Sequence, residues 1–330
     1  MKYKQMKLHQ NIALFKQAVK FTAAQKGILD IYIEKDYWVT FVLYNLYKSE
    51  LGKEIVFKGG TALSKCYGII DRFSEDIDLI ILKNDKQSDH YLKKKLKEIT
   101  TAVSQLLPEI EEKDITHRIG MVRKTAHTYP KVFKGEFGQV RDTIIVEATR
   151  LGHHEPYETK KIASYIYEMM LSTNQQKLAI AYDLLPFNVL ALDVKRTLCE
   201  KIMSLVRFSY TENPMEDLNN KIRHTYDIHQ LLKNEGILAF FNSQKFDEML
   251  LNVAKDDLIS FKNNNEYLQI HPKKALLFAK PKETWQLLKG TYLGSFKTLV
   301  YGNFPEEDEI EKTIVDVSLR LGKINWDLKF

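Results

Sequence analysis

Lys58-Gly59-Gly60-Thr61-Ala62-Leu63-Ser64-Lys65, followed a few residues later by Arg72-Phe73-Ser74-Glu75-Asp76-Ile77-Asp78-Leu79, is the stretch whose reading decides the fold of this chain. EIVF at 54–57 and IDLIIL at 77–82 are short apolar runs bounded by charge or breakers, which predicts two buried strands. GGTALSKCYG between them predicts a turn leading into a short helix. On a strand, residues i and i+2 point to the same side, so Asp76 and Asp78 project together while Ile77 and Leu79 pack inward. Two carboxylates on one face repel, and holding them there costs free energy unless a cation sits between them. Oxygen-rich clusters of this kind suit Mg²⁺, with substrate phosphates completing its shell. Gly59 and Gly60 let the backbone approach a ligand closely, the helix start attracts phosphate oxygens, and Thr61 offers a hydroxyl. Taken singly, the acidic pair is a solvated strand end and the glycine pair a tight turn. Joined in one strand-helix-strand unit, they point to phosphate chemistry.

Working outward, residues 8–24 and 34–48 carry apolar positions at helical spacing. Residues 88–106 return to a Lys-rich helical pattern, with Pro108 just beyond its end. Three further strands are predicted at 114–122, 127–133 and 139–150, the last containing Ile144-Ile145-Val146. A mixed sheet fits this order. After about residue 160 the pattern is almost wholly helical, over 161–171, 194–209, 217–233, 244–261, 282–290 and 306–322. The expected class is α+β, with a front domain over 1–175 and a helical domain over 176–330.

With 330 residues, 44% of them hydrophobic and 28% charged, the chain has the profile of a globular protein and enough length for two domains. No run approaches a membrane span and the N-terminus lacks a signal peptide's apolar segment, so a cytosolic protein is expected. Cys66 and Cys199 can form neither a disulfide framework nor a zinc fold. A net charge of +6 favours an anionic partner without choosing one.

The paired motifs KGGTALSK and RFSEDIDL resemble the signature of the DNA polymerase β-like nucleotidyltransferase superfamily, and within it the AbiEii/AbiGii toxin family. The interval from Thr61 to Asp76 is longer than the general superfamily pattern and of the length usual in the toxin branch. Glu34-Lys35-Asp36-Tyr37-Trp38, Arg196-Thr197-Leu198-Cys199-Glu200-Lys201 and Arg223-His224-Thr225-Tyr226-Asp227 match the family as well, extending the resemblance over about residues 34–230. It implies a polymerase β-like domain with a mixed sheet, and a helical domain that completes the cleft. The implied activity moves a nucleoside monophosphate from an NTP to an acceptor, with Mg²⁺ in a two-metal site. It further implies a type IV toxin–antitoxin or abortive-infection system with a cognate antitoxin, and in some members the tRNA 3′ end as acceptor. Residues 240–330 carry no signature.

Two-metal transfer needs a third carboxylate. Glu147, ending the run Ile144-Ile145-Val146, is the first candidate, although Asp is commoner there in the superfamily; Asp142 is the alternative. The metal set is therefore Asp76, Asp78 and Glu147. The resemblance implies that Lys201 reaches the triphosphate and that Asp227 stands near the nucleotide or its lysine, which adds both to the catalytic residues. Gly59, Gly60, Thr61, Lys65 and Lys201 make up the nucleotide-binding set, Lys65 being either a phosphate contact or solvated. Arg196 and Glu200, four apart on a helix, read as a structural ion pair, and Arg223 or His224 can pair with Asp227. Lys93, Lys94, Lys95, Lys97, Arg118, Arg123, Lys124 and Lys131 could line a basic groove for RNA, with a solvated helix face as the alternative for 93–97. Transfer to a protein or to a small molecule such as an antibiotic, or nucleotide binding without turnover, remain the competing functions.

Overall fold

The structure, a computed structural model, describes residues 6–83, 87–113, 115–117, 121–137, 140–150, 156–261 and 264–328. In chain order its helices and strands are α1 (Ile12–Lys26), α2 (Asp30–Lys48), β1 (Ile55–Lys58), α3 (Gly59–Lys65), β2 (Ile77–Ile81), α4 (Asp89–Ser104), β3 (Glu109–Ile110), β4 (Val122–His127), β5 (Ile144–Thr149), β6 (Tyr157–Ile162), α5 (Tyr165–Ser172), α6 (Gln176–Ala181) and β7 (Phe187–Leu192). Then come α7 (Val194–Phe208), α8 (Pro214–Asn220), α9 (Arg223–Leu232), α10 (Glu235–Phe241), α11 (Gln244–Ser260), α12 (Leu276–Ala279), α13 (Pro281–Thr291) and α14 (Glu307–Leu321). The chain is thus mixed α and β, with a seven-stranded sheet and a helical region. Among the described residues no helix is long and apolar enough to cross a membrane.

Contacts divide the described residues into two compact units. The first holds 6–68, 73–150 and 157–191; the second holds 69–72, 156 and 192–328. In the first, seven strands form one mixed sheet in the order β3-β4-β5-β2-β1-β7-β6. Its centre is the most apolar part: Ile55, Val56, Phe57, Ile77, Leu79, Ile80, Ile144, Ile145 and Val146 are all buried. Such runs are what a strand covered on both faces requires. Helix α4 lays Leu92, Leu96, Ile99 and Val103 against β2, β4 and β5, which leaves Lys93, Lys94 and Lys97 exposed on its other side. The second unit is helical around buried Tyr226, Phe246, Phe278, Trp285, Tyr292 and Phe296.

Three expectations about elements change. Among the described residues the strand here runs over Val122–His127, meeting the expected 114–122 and 127–133 only at their adjoining ends, and His117 makes only an isolated bridge to Lys124. Residues 114 and 118–120 fall outside the described set. The segment after His127 holds Pro130, and its amides at Val132 and Phe133 are taken by the Glu34 carboxylate at 2.7 and 3.1 Å instead of a ladder. The chain beyond 160 is not almost wholly helical, since β6 runs to Ile162 and β7 follows at Phe187. Strand β6, YETKKI, lies at the sheet's edge and is mostly exposed, so its charged sequence carries no apolar signal. The helix expected over 217–233 is two, α8 and α9, separated at Lys221 and Ile222.

Candidate active site

Strand β1 runs directly into α3, and the junction is Gly59 with φ +78°. A side chain is excluded there twice: the left-handed backbone strains an L-residue, and a Cβ would fall on the Asp78 carboxylate. The glycine pair thus brings the backbone against the acidic strand. Thr61 is buried, and its hydroxyl donates to Ser74 at 3.1 Å, tying the GGT turn to the segment before Asp76.

Sheet register then sets the charged side chains in a row. Strands β1 and β2 are antiparallel with Lys58 opposite Asp78. Strands β2 and β5 are parallel with Asp78 beside Glu147. Strands β5 and β4 are antiparallel with Glu147 opposite Lys124, whose ammonium is 3.1 Å from Glu147 Oε2. Asp76 stands two residues before Asp78, just ahead of β2. Burial, then Glu147 and Asp76, hold the Asp78 carboxyl above the usual carboxylate range, while Lys58 and Lys124 work the other way. Asp142, the alternative third acid, lies before β5 and pairs with Lys131 at 2.5 Å in the open.

This donor set fits a hard cation. Its acids are crowded and partly desolvated, and such carboxylates gain from a positive partner. Among the described residues no three His, Cys, Asp or Glu side chains converge into a ready-made metal cage. That is compatible with Mg²⁺, which commonly binds one or two carboxylates and takes the rest of its shell from phosphate and water.

Other predicted residues have different surroundings. Lys65 is buried, its ammonium 2.5 Å from Asp36 Oδ1 and 3.0 Å from the Ala163 carbonyl, so its donors serve the scaffold. The Glu34-Lys35-Asp36 run is buried likewise: Glu34 accepts from Val132 and Phe133, Lys35 donates to the Arg141 carbonyl, and Asp36 accepts from the Tyr165 amide. Burial lowers the Lys35 ammonium to about 8, against the pull of Glu75, Asp76 and Asp142.

Within the second unit, Asp227 on α9 is fully buried and accepts a forked pair of hydrogen bonds from Arg72, Nε and Nη2 each at 2.7 Å. Lys201 on α7 reaches the same carboxylate at 2.7 Å. Burial alone would raise this acid, but Arg72 and Lys201 outweigh it and hold it far below the usual range. Lys201 is the lysine expected near Asp227, and Arg72 takes the place expected for Arg223 or His224. Burial, Lys201 and Lys221 hold the His224 imidazole neutral well below its ordinary value. Arg196 pairs with Glu200 at 3.2 Å and also with buried Asp256. Burial pushes the Cys66 thiol up to about 12 and raises Cys199 as well, which disfavours the thiolate at both.

The basic groove largely dissolves into local pairs. Lys95 binds Glu54 and Glu98, Lys94 lies 3.8 Å from Glu98, and Arg123 donates to Thr100. Arg118 lies outside the described residues. The sequence alone places Lys124 in this groove and gives Arg72 no role; the actual partners of both depend on contacts between distant segments.

A glycine turn thus lies pressed on a strand acid, with a second acid registered beside it. The chain matches the family described as nucleotidyl transferase AbiEii toxin, type IV TA system, over residues 42–309, and it belongs to that family. No curated protein matches it closely enough to be counted a relative.

Proposed function

We propose that this toxin-family enzyme transfers a nucleoside monophosphate from an NTP to an RNA, the tRNA 3′ end being the acceptor, with release of pyrophosphate and dependence on Mg²⁺. The observation that carries the reading is the register setting Asp78 beside Glu147, with Gly59 against Asp78. Asp76, Asp78 and Glu147 would supply the carboxylates of a two-metal site, one or two to each ion, with phosphate and water completing the shells. When bound, the ion supplies charge neutralisation at the phosphates and acidifies the attacking hydroxyl. Glu147 is suited to accept that proton, being partly exposed at a strand position. The Gly59–Gly60 turn leaves room for phosphate oxygens against the backbone.

Lys201 is proposed to offset charge on the leaving pyrophosphate, and Asp227 to hold that lysine in place. Their 2.7 Å ion pair supports the pairing. The division at 175/176, the cytoplasmic setting and a cognate antitoxin belong to the same proposal. Exposed Lys93 and Lys97 and the net charge of +6 favour a polyanionic acceptor over an aminoglycoside, which would call for an acidic cleft.

Incubation of the purified protein with total tRNA, Mg²⁺ and each labelled NTP in turn tests this. Labelling of tRNA by one nucleotide, lost in Asp76→Ala, is the expected result. Label on protein, or none on RNA, overturns the acceptor assignment.

A further inference from the structure

Across four adjacent strands the side chains read Lys58, Asp78, Glu147, Lys124, a cation at each end and two acids between. The outer member on β4 is well placed to control the inner pair. Lys124 and Glu147 are 34% and 35% exposed, so their 3.1 Å contact is partly shielded from water. Glu147, Asp76 and Asp78 all attract the same ammonium. An ammonium at hydrogen-bonding distance occupies lone pairs that a metal ion would need, and its charge opposes a second cation nearby.

From this order we infer that Lys124 is a tethered counter-ion of the acidic cluster, which a divalent cation must displace from Glu147 before that carboxylate can become a ligand. The inference rests on the reading of Asp76, Asp78 and Glu147 as cation ligands. A lysine suits this role, because its ammonium is a point charge on a flexible stem and can leave without rearranging β4. The row is thereby kept from carrying an uncompensated charge when no metal is present. Binding of the bare ion is correspondingly weakened.

Titration of the full-length protein with Mn²⁺ in the absence of nucleotide, reading free Mn²⁺ by electron paramagnetic resonance, tests this, with thermal melts of each variant to confirm folding. Lys124→Met is expected to bind Mn²⁺ about tenfold more tightly than the unaltered protein, and Lys124→Gln to move the same way. Lys124→Arg, which keeps the charge, should stay near the starting affinity, and Asp78→Asn should lose binding. A residue serving only structure would give no gain in affinity on removal. Should the Met and Gln variants bind no more tightly while Asp78→Asn loses binding, the counter-ion role is overturned and the acidic site stands. Should Asp76→Asn and Asp78→Asn bind as well as the unaltered protein, both ideas fall.

Discussion

Asp227 is fully buried and Asp78 half-buried, and the protein treats the two carboxylates in opposite ways. Asp227 has the Arg72 fork on one side and Lys201 on the other, so its charge is more than matched and its carboxyl is held low. Asp78 has Glu147 and Asp76 for neighbours and is held high, although Lys58 and Lys124 soften the repulsion. The first is closed, in that every oxygen has a cation and an added ligand would gain little. The second is left short of positive charge, and that shortage is what a metal–nucleotide complex can relieve. Burial alone does not fix the state of a carboxyl; the balance of charge around it does.

The largest expected effect breaks the open site. Asp76→Asn or Asp78→Asn should lower nucleotide transfer by about 10³-fold or more, measured with labelled NTP. Asp78→Asn should melt no lower than the unaltered protein, because it removes repulsion. Breaking the closed site acts first on stability. Asp227→Ala leaves Arg72 and Lys201 without their buried partner and should cost about 3–5 kcal/mol in urea unfolding, since stripping one member of a buried pair strands the others. A variant as stable as the starting protein would mean that the pairing is slack in solution.

Gly59→Ala sharpens the contrast from the backbone side. It combines a strained positive φ with a methyl group on the Asp78 carboxylate, so roughly 1–3 kcal/mol of stability should go, along with most of the transfer activity. The pH dependence should differ in sign between the two acids. Asp227 is held below its unfolded value of about 3.8, so its contribution is present above that pH and is lost as pH falls further. Asp78 is held above its unfolded value, so the metal-free protein should lose stability as pH rises from about 4 toward neutrality. Denaturation series over pH on Asp78→Asn should show that second slope flattened, and Mg²⁺ should flatten it in the unaltered protein.

The smallest effect concerns the acceptor. Replacing exposed Lys93 and Lys97 with Gln should reduce the salt dependence of RNA binding by less than about two counterions, leaving transfer chemistry intact.

How much of this was legible in the sequence follows from the range of the interactions. The β1-α3-β2 unit is local: apolar runs, a glycine pair and alternation suffice to place Asp76 and Asp78. Glu147 stands out because a charge ending an Ile-Ile-Val run needs a partner, but the identity of one partner, Lys124, depends on the register between β4 and β5. Strand β4 itself, VRKTAH, has only Val122 and Ala126 as apolar residues and so carries no period-2 apolar signal. The Arg72–Asp227 fork joins residues 155 positions apart, beyond any helical or strand spacing. Lys65 looked like a phosphate contact because it follows the glycine turn; only packing shows that Asp36 has claimed it.

The run Glu34-Lys35-Asp36 has one more consequence, for how the protein can be cut. Its three side chains on α2 hold Val132 and Phe133, the Arg141 carbonyl, the Tyr165 amide and Lys65. A fragment trimmed to the family match at residue 42 keeps the whole acidic motif and discards these anchors. It would carry a buried lysine with no counter-charge and strand-like amides with no acceptor. Family boundaries and folding boundaries therefore differ at this end of the chain, and a minimal active fragment has to begin upstream of α2.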